Sequence, residues 1–101
     1  MDSKLELIKN LKLKKILKIE NYLQIVFYND YFLFIYNEFE VSDDFEDFEG
    51  LKVVAIEEKK QMIKLFFEKR KYIFIDMRPE AYNCPEALQL NTPDEKIFVW
   101  S

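Results

Sequence analysis

The chain repeats itself, and the repeat constrains its architecture more than any other feature. KILKIE (15–20) lies over KVVAIE (52–57), matching Lys15, Ile19 and Glu20 to Lys52, Ile56 and Glu57. Downstream, LQIVFY (23–28) falls on MIKLFF (62–67) and LFI (33–35) on IFI (73–75). The register slips by two residues and then by one more, each time where a hairpin turn tolerates insertion. Upstream, Ile8 and Leu11 fall on Phe45 and Phe48. Each of these pairs is spaced i, i+3, as the buried side of a short helix requires. Self-similarity on this scale reads as a duplicated supersecondary unit.

Each copy reads as helix, strand, strand, strand. The first spans about 3–11, 14–20, 22–28 and 31–37; the second spans about 43–49, 51–58, 62–68 and 71–77. Ser42 or Asp43 can cap the second helix, Asp43 and Glu46 have capping-box spacing, and Gly50 is a natural stop. Asn29-Asp30 and Lys69-Arg70 supply matching hairpin turns. The tail places Pro79, Pro85 and Pro93 around a loop, with strands expected at 87–91 and 96–100. The expectation is a single α+β domain over 1–101: repeat 1 at about 3–37, repeat 2 at about 42–77 and an extension at 78–101. Its sheet should be largely antiparallel, with two short helices and two C-terminal strands. The run YFLFIY (31–36) is apolar on both faces, so it should be central and covered on both sides. An open edge there would invite aggregation.

Half of the 101 residues are hydrophobic and 17% are aromatic, which argues against disorder and for one packed core. Cys84 is the lone cysteine, so no internal disulfide forms. The stretch Met1 to Glu6 carries three charges and lacks an apolar secretory core, and no run approaches the ~20 apolar residues of a membrane span. A cytoplasmic protein is expected, with no membrane partner.

The chemistry available is thin. There is no His, the usual general base at neutral pH and the commonest transition-metal ligand. Ser3, Ser42, Ser101 and Thr92 lack a nucleophile-elbow context, Cys84 has no His to activate it, and one Gly cannot build a phosphate loop. A carboxylate pair could in principle hydrolyse glycosides, but such sites need a deep cleft. No catalytic residues, no cofactor and no metal are expected.

Charge is distributed unevenly. Residues 20–50 hold nine acids and no Lys or Arg, within a chain of net charge −4. Seven of these acids fall in 38–49. Their bland role is a solvated face over buried Phe45 and Phe48. Turned outward, they still create a negative field that attracts basic partners and disfavours nucleic acid. Their spacing does not match a Ca²⁺ loop. The lysines at 9, 12, 14, 15 and 18 alternate with apolar residues and read as the wet side of a helix end and a strand. Tyr82, Glu86 and Trp100 either pin the last strand or line a contact surface.

KILKIE, KVVAIE, FYND, FFEK, YNCPEA and FVW together resemble the motifs of small bacterial immunity proteins from toxin–immunity (contact-dependent inhibition, polymorphic toxin) systems. The resemblance spans nearly the whole chain, although Cys84 stands where the pattern has Gly and neither hairpin carries its Gly. It implies a protein that binds and neutralises a cognate toxin, for which a basic nuclease would suit an acidic surface. The expected partner-binding residues are Glu38, Phe39, Glu40, Asp43, Asp44, Glu46, Asp47 and Glu49, with Phe39 as the aromatic anchor. The competing expectations are a housekeeping α+β protein that self-associates through an apolar sheet face, which leaves a homodimer open, and a small-ligand binder using a cavity between the repeats.

Overall fold

Alternation of apolar and polar residues places strands where the sequence indicates them. The computed structural model describes residues 4–101. Its strands are β1 (Leu13–Ile19), β2 (Tyr22–Phe27), β3 (Phe32–Ile35), β4 (Phe39–Val41), β5 (Val53–Lys59), β6 (Met62–Phe67), β7 (Tyr72–Asp76), β8 (Leu88–Asn91) and β9 (Ile97–Trp100). They form two antiparallel sheets, ordered β1-β2-β3-β8-β9 and β4-β7-β6-β5. Leu23, Ile25, Leu33 and Ile35 from one sheet and Ile63, Leu65, Ile73 and Ile75 from the other share one buried core.

The repeat holds, with the register of LFI (33–35) on IFI (73–75) running throughout, in place of those read for the earlier segments. Every paired feature is separated by 40 residues. The β-bulge at Leu13/Lys15 recurs at Val53/Ala55, and positive φ at Asn10, Asn29 and Asp30 recurs at Gly50, Lys69 and Arg70. The N–H of Tyr28 donates to Lys12 C=O as that of Glu68 donates to Lys52 C=O. Lys12 and Lys52 bridge each other, and the flanking bonds are reciprocal: Leu13 N–H to Leu51 C=O at 2.8 Å and Val53 N–H to Leu11 C=O at 3.0 Å. Asn37 likewise touches its counterpart Met77, its Nδ2 lying 3.8 Å from the sulfur. Counterparts that touch each other mark a pseudo-two-fold axis, as in an isologous dimer. Lys15 is therefore equivalent to Ala55, not Lys52. The register slips vanish, and the inward-facing pairs are Leu5/Ile8 and Phe45/Phe48, of which Phe45 is half-buried.

Each half lends its fourth strand to the other. After β3 the chain crosses to pair β4 with β7, setting Phe39 opposite Ile75 and Val41 opposite Ile73. After β7 it crosses back to pair β8 with β3, setting Leu88 opposite Ile35 and Leu90 opposite Leu33. The second crossing is longer and carries a 3-10 turn at Pro79–Ala81. Buried Asn37 fastens the crossing by donating from Nδ2 to Asp76 C=O at 2.8 Å.

The α+β expectation is overturned: nearly half of the chain is strand, and no α-helix occurs among the described residues. The helices expected at 3–11 and 43–49 are short 3-10 turns, Lys4–Ile8 and Phe45–Phe48; residue 3 lies outside the described residues. One i, i+3 apolar pair satisfies a single 3-10 turn, in which those positions eclipse, and so short a segment does not repay α-helix nucleation. The expected cap is also engaged elsewhere. Ser42 Oγ donates to Asp43 Oδ2 at 2.7 Å and accepts the Tyr72 N–H at 2.9 Å, tying the end of β4 to β7. Competition of this kind between short polar side chains and helix formation is general.

Gly50 closes the second turn at φ +82, with open space where a Cβ would stand. Gly50→Ala should therefore cost about 1 kcal/mol through backbone strain alone. Gly50→Asn should cost less, because Asn10 already adopts φ 71 at the equivalent position. Chemical denaturation of the two variants checks this order.

Candidate partner-binding surface

The acidic segment forms an exposed ridge because its apolar residues are used inward. Phe48 is fully buried and Phe45 packs against the core, so the turn between them carries Asp44, Glu46, Asp47 and Glu49 on the outside. In β4, Glu40 pairs across from Phe74 on the outer side of its sheet, and Glu38 is exposed just before the strand. Among the described residues, none of Glu38, Glu40, Asp44, Glu46, Asp47 or Glu49 joins an ion pair. Asp43 differs from these six. Its carboxylate meets Lys71 Nζ at 3.2 Å and accepts the Ser42 hydroxyl, and that hydrogen bond, ahead of the lysine, holds it below the usual carboxylate range.

Phe39, the expected anchor, faces the other way. Opposite Ile75 it is half-buried and packs against the core. It only edges a hollow of ≈ 150 Å³ that Glu38, Glu40, Phe74 and Asp76 also line. The aromatic ring on the outer side beside the acids is Phe74. Strand alternation in YIFID (72–76) contains that signal, since Ile73 and Ile75 point inward, but it connects to the acids only once β4 is known to pair with β7. Tyr82 and Trp100 pack against the core, and the Trp100 carbonyl accepts the Ala87 N–H at 2.6 Å. Glu86 lies beside Tyr36, whose phenol is pushed up by burial first and by that carboxylate second.

The outer faces of the two sheets have diverged on a common backbone. On the first, cross-strand register aligns Leu17 and Ile19, then Tyr22, Gln24 and Val26, then Phe32 and Phe34, then Gln89 and Asn91, then Ile97 and Val99. Tyr22, Phe34 and Tyr36 cluster there with centroids 5.5–6.5 Å apart. On the second, Glu57, Lys59, Lys64 and Asp76 replace Leu17, Ile19, Gln24 and Tyr36. Lys64 Nζ sits 5.1 Å from the Phe66 ring centroid and 4.1 Å from that of Tyr72. The acidic ridge belongs to this charged half.

Three carboxylates set the acid response. Asp43 is held down by Ser42 and Lys71, Asp76 by the Arg78 guanidinium at 2.7 Å, and Asp94 by the Thr92 hydroxyl. Lowered folded values mean that the unfolded chain binds more protons, so their stabilisation is complete above about pH 4 and is lost as pH falls through the folded values. Tyr36 acts at the opposite end. Its raised value lets the unfolded chain ionise first, so stability falls as pH climbs past about 10. With no His to titrate between, urea midpoints should be flat from about pH 5 to 8 and fall on both sides. A slope within that plateau would contradict this assignment.

No three potential metal ligands cluster among the described residues, and no helix there is long and apolar enough to cross a membrane. Comparison with protein families, with characterised proteins and with solved structures finds no match to this chain.

Proposed function

We propose that this chain is a protein-binding module of the immunity type, whose ridge of residues 38–49 meets a basic surface on a toxin and neutralises it. The observation that carries the reading is a set of six exposed carboxylates that join no ion pair among the described residues, four on the turn pinned by buried Phe48 and two, Glu38 and Glu40, at β4. Uncompensated charge of one sign weakens the free fold slightly through self-repulsion, and its return is faster and more selective encounter with an opposite charge. The resemblance of the motifs to immunity proteins supports the same partner class. Phe74, between Glu40 and Lys64 in cross-strand register, is the anchor for the complex, because charges alone supply rate and specificity more than affinity. A basic nuclease is the toxin chemistry that fits.

The test is binding of this chain to the product of a neighbouring toxin gene across a range of ionic strength. Tight association with an on-rate that falls steeply with salt is expected. A salt-independent rate, or binding undiminished by charge reversal on the ridge, would sink the proposal.

A further inference from the structure

The two sheets present four edge strands, and three are protected against further pairing. β1 is bulged at Leu13/Lys15 and carries Lys14, Lys15 and Lys18. β5 is bulged at Val53/Ala55 and carries Glu57, Glu58 and Lys59. β4 has three residues, with Glu40 at its centre. Bulges, charges and shortness are the usual defences of an edge. The fourth edge, β9, is also short at four residues but has neither bulge nor charge: Ile97, Phe98, Val99 and Trp100 run unbroken, and among the described residues its only strand partner is β8.

The open side of β9 presents free backbone groups. The Lys96 carbonyl accepts the Thr92 N–H at 3.0 Å, and the Trp100 carbonyl accepts from Ala87, so Lys96, Phe98 and Trp100 direct their peptide groups at β8. Antiparallel alternation then leaves the N–H and C=O of Ile97 and Val99 on the unpaired side. Their side chains are 59% and 46% exposed. On the opposite face Leu7, itself exposed, and Phe98 line a groove of ≈ 380 Å³ with Tyr31.

We infer that β9 pairs antiparallel with β9 of a second copy of this chain, joining the two five-stranded sheets into one. The strand is complementary to itself. Centred on Phe98, an isologous pairing opposes Ile97 to Val99 of the second copy and satisfies the free groups of both residues. It sets Lys96, whose Nζ also lies 3.5 Å from Asp94 Oδ2, opposite Trp100 rather than its own image. A cation against an aromatic ring is favourable, and no like charges meet. Any extended strand could satisfy the backbone groups; the side-chain match, Ile97 against Val99 and Lys96 against Trp100, is what makes the second copy the fitting occupant. The inference is independent of the acidic ridge, whose β4 belongs to the other sheet and whose turn packs on β1, at the opposite edge of this one.

The experiment is sedimentation equilibrium of the whole chain from micromolar to millimolar concentration, together with hydrogen exchange resolved by residue. A concentration-dependent dimer is expected, in which the amides of Ile97 and Val99 become protected as the dimer forms. Val99→Lys should abolish it, whereas Val54→Lys, an equally exposed position on β5, should leave it intact. A wild-type chain that stays monomeric throughout overturns the inference. So does a dimer in which those two amides remain fast-exchanging, a result that needs no variant to fold.

Discussion

Phe48→Ala is expected to cost about 3–5 kcal/mol, the loss found when a fully buried Phe becomes Ala. Phe48 has no exposed surface and meets Phe67 edge-on at 5.2 Å between centroids. Truncation removes that aromatic pair, worth about 0.5–1.5 kcal/mol beyond burial, and leaves a cavity beneath the turn. Rigid β1 and β6 walls limit collapse. A domain of this size holds about 5–15 kcal/mol in total, so a third or more of its stability would go. The denaturant midpoint should fall accordingly with little change in slope. Phe45→Ala, at a half-buried position, should cost clearly less. A Phe48→Ala loss under about 1 kcal/mol would mean that the turn is not docked on the sheet.

That turn also explains what could be read from the sequence. Strands and hairpins were legible because alternation is local: Leu33 and Ile35 point inward and their neighbours do not. The repeat was legible, but its register was drawn by Lys15/Lys52 and Glu20/Glu57, exposed charges that are free to drift. The register of 40 aligns what cannot drift: buried Phe27 with Phe67, buried Ile35 with Ile75, Leu11 with Leu51, and Asn10 with Gly50 at positive φ. Weighting apolar and turn positions above charge matches would have found it without gaps. β4 is three residues among acids and owes its strand conformation to β7. The exchange of fourth strands is equally non-local. Among the site residues, the exposed acids were legible because carboxylates resist burial. Phe39 was misplaced because its direction depends on the unseen pairing, and Phe74 was overlooked for the same reason.

The largest functional effect is expected from reversing Glu40, Asp44 and Asp47 to Lys together. Each is exposed and none joins an ion pair among the described residues, so each substitution should move stability by no more than about 0.5 kcal/mol. The electrostatic change is far larger, because three negative charges become three positive ones on one ridge. Steered association runs at about 10⁸–10⁹ M⁻¹s⁻¹ at low salt, against roughly 10⁵–10⁶ for a neutral encounter. The triple variant should therefore associate with its basic partner about 10²–10³-fold more slowly, with a smaller change in dissociation rate. Asp43→Lys would be a poor addition, since it breaks the contacts with Lys71 and Ser42 and confounds rate with folding. Phe74→Ala separates the two contributions, because loss of a packed ring should raise the dissociation rate and leave the association rate almost unchanged. Raising ionic strength should bring wild type and triple variant together, as exposed charges are screened beyond about 3 Å at 1 M salt. Stopped-flow association of both proteins at low and high salt measures these quantities directly. Equal low-salt rates would place the contact surface away from the ridge.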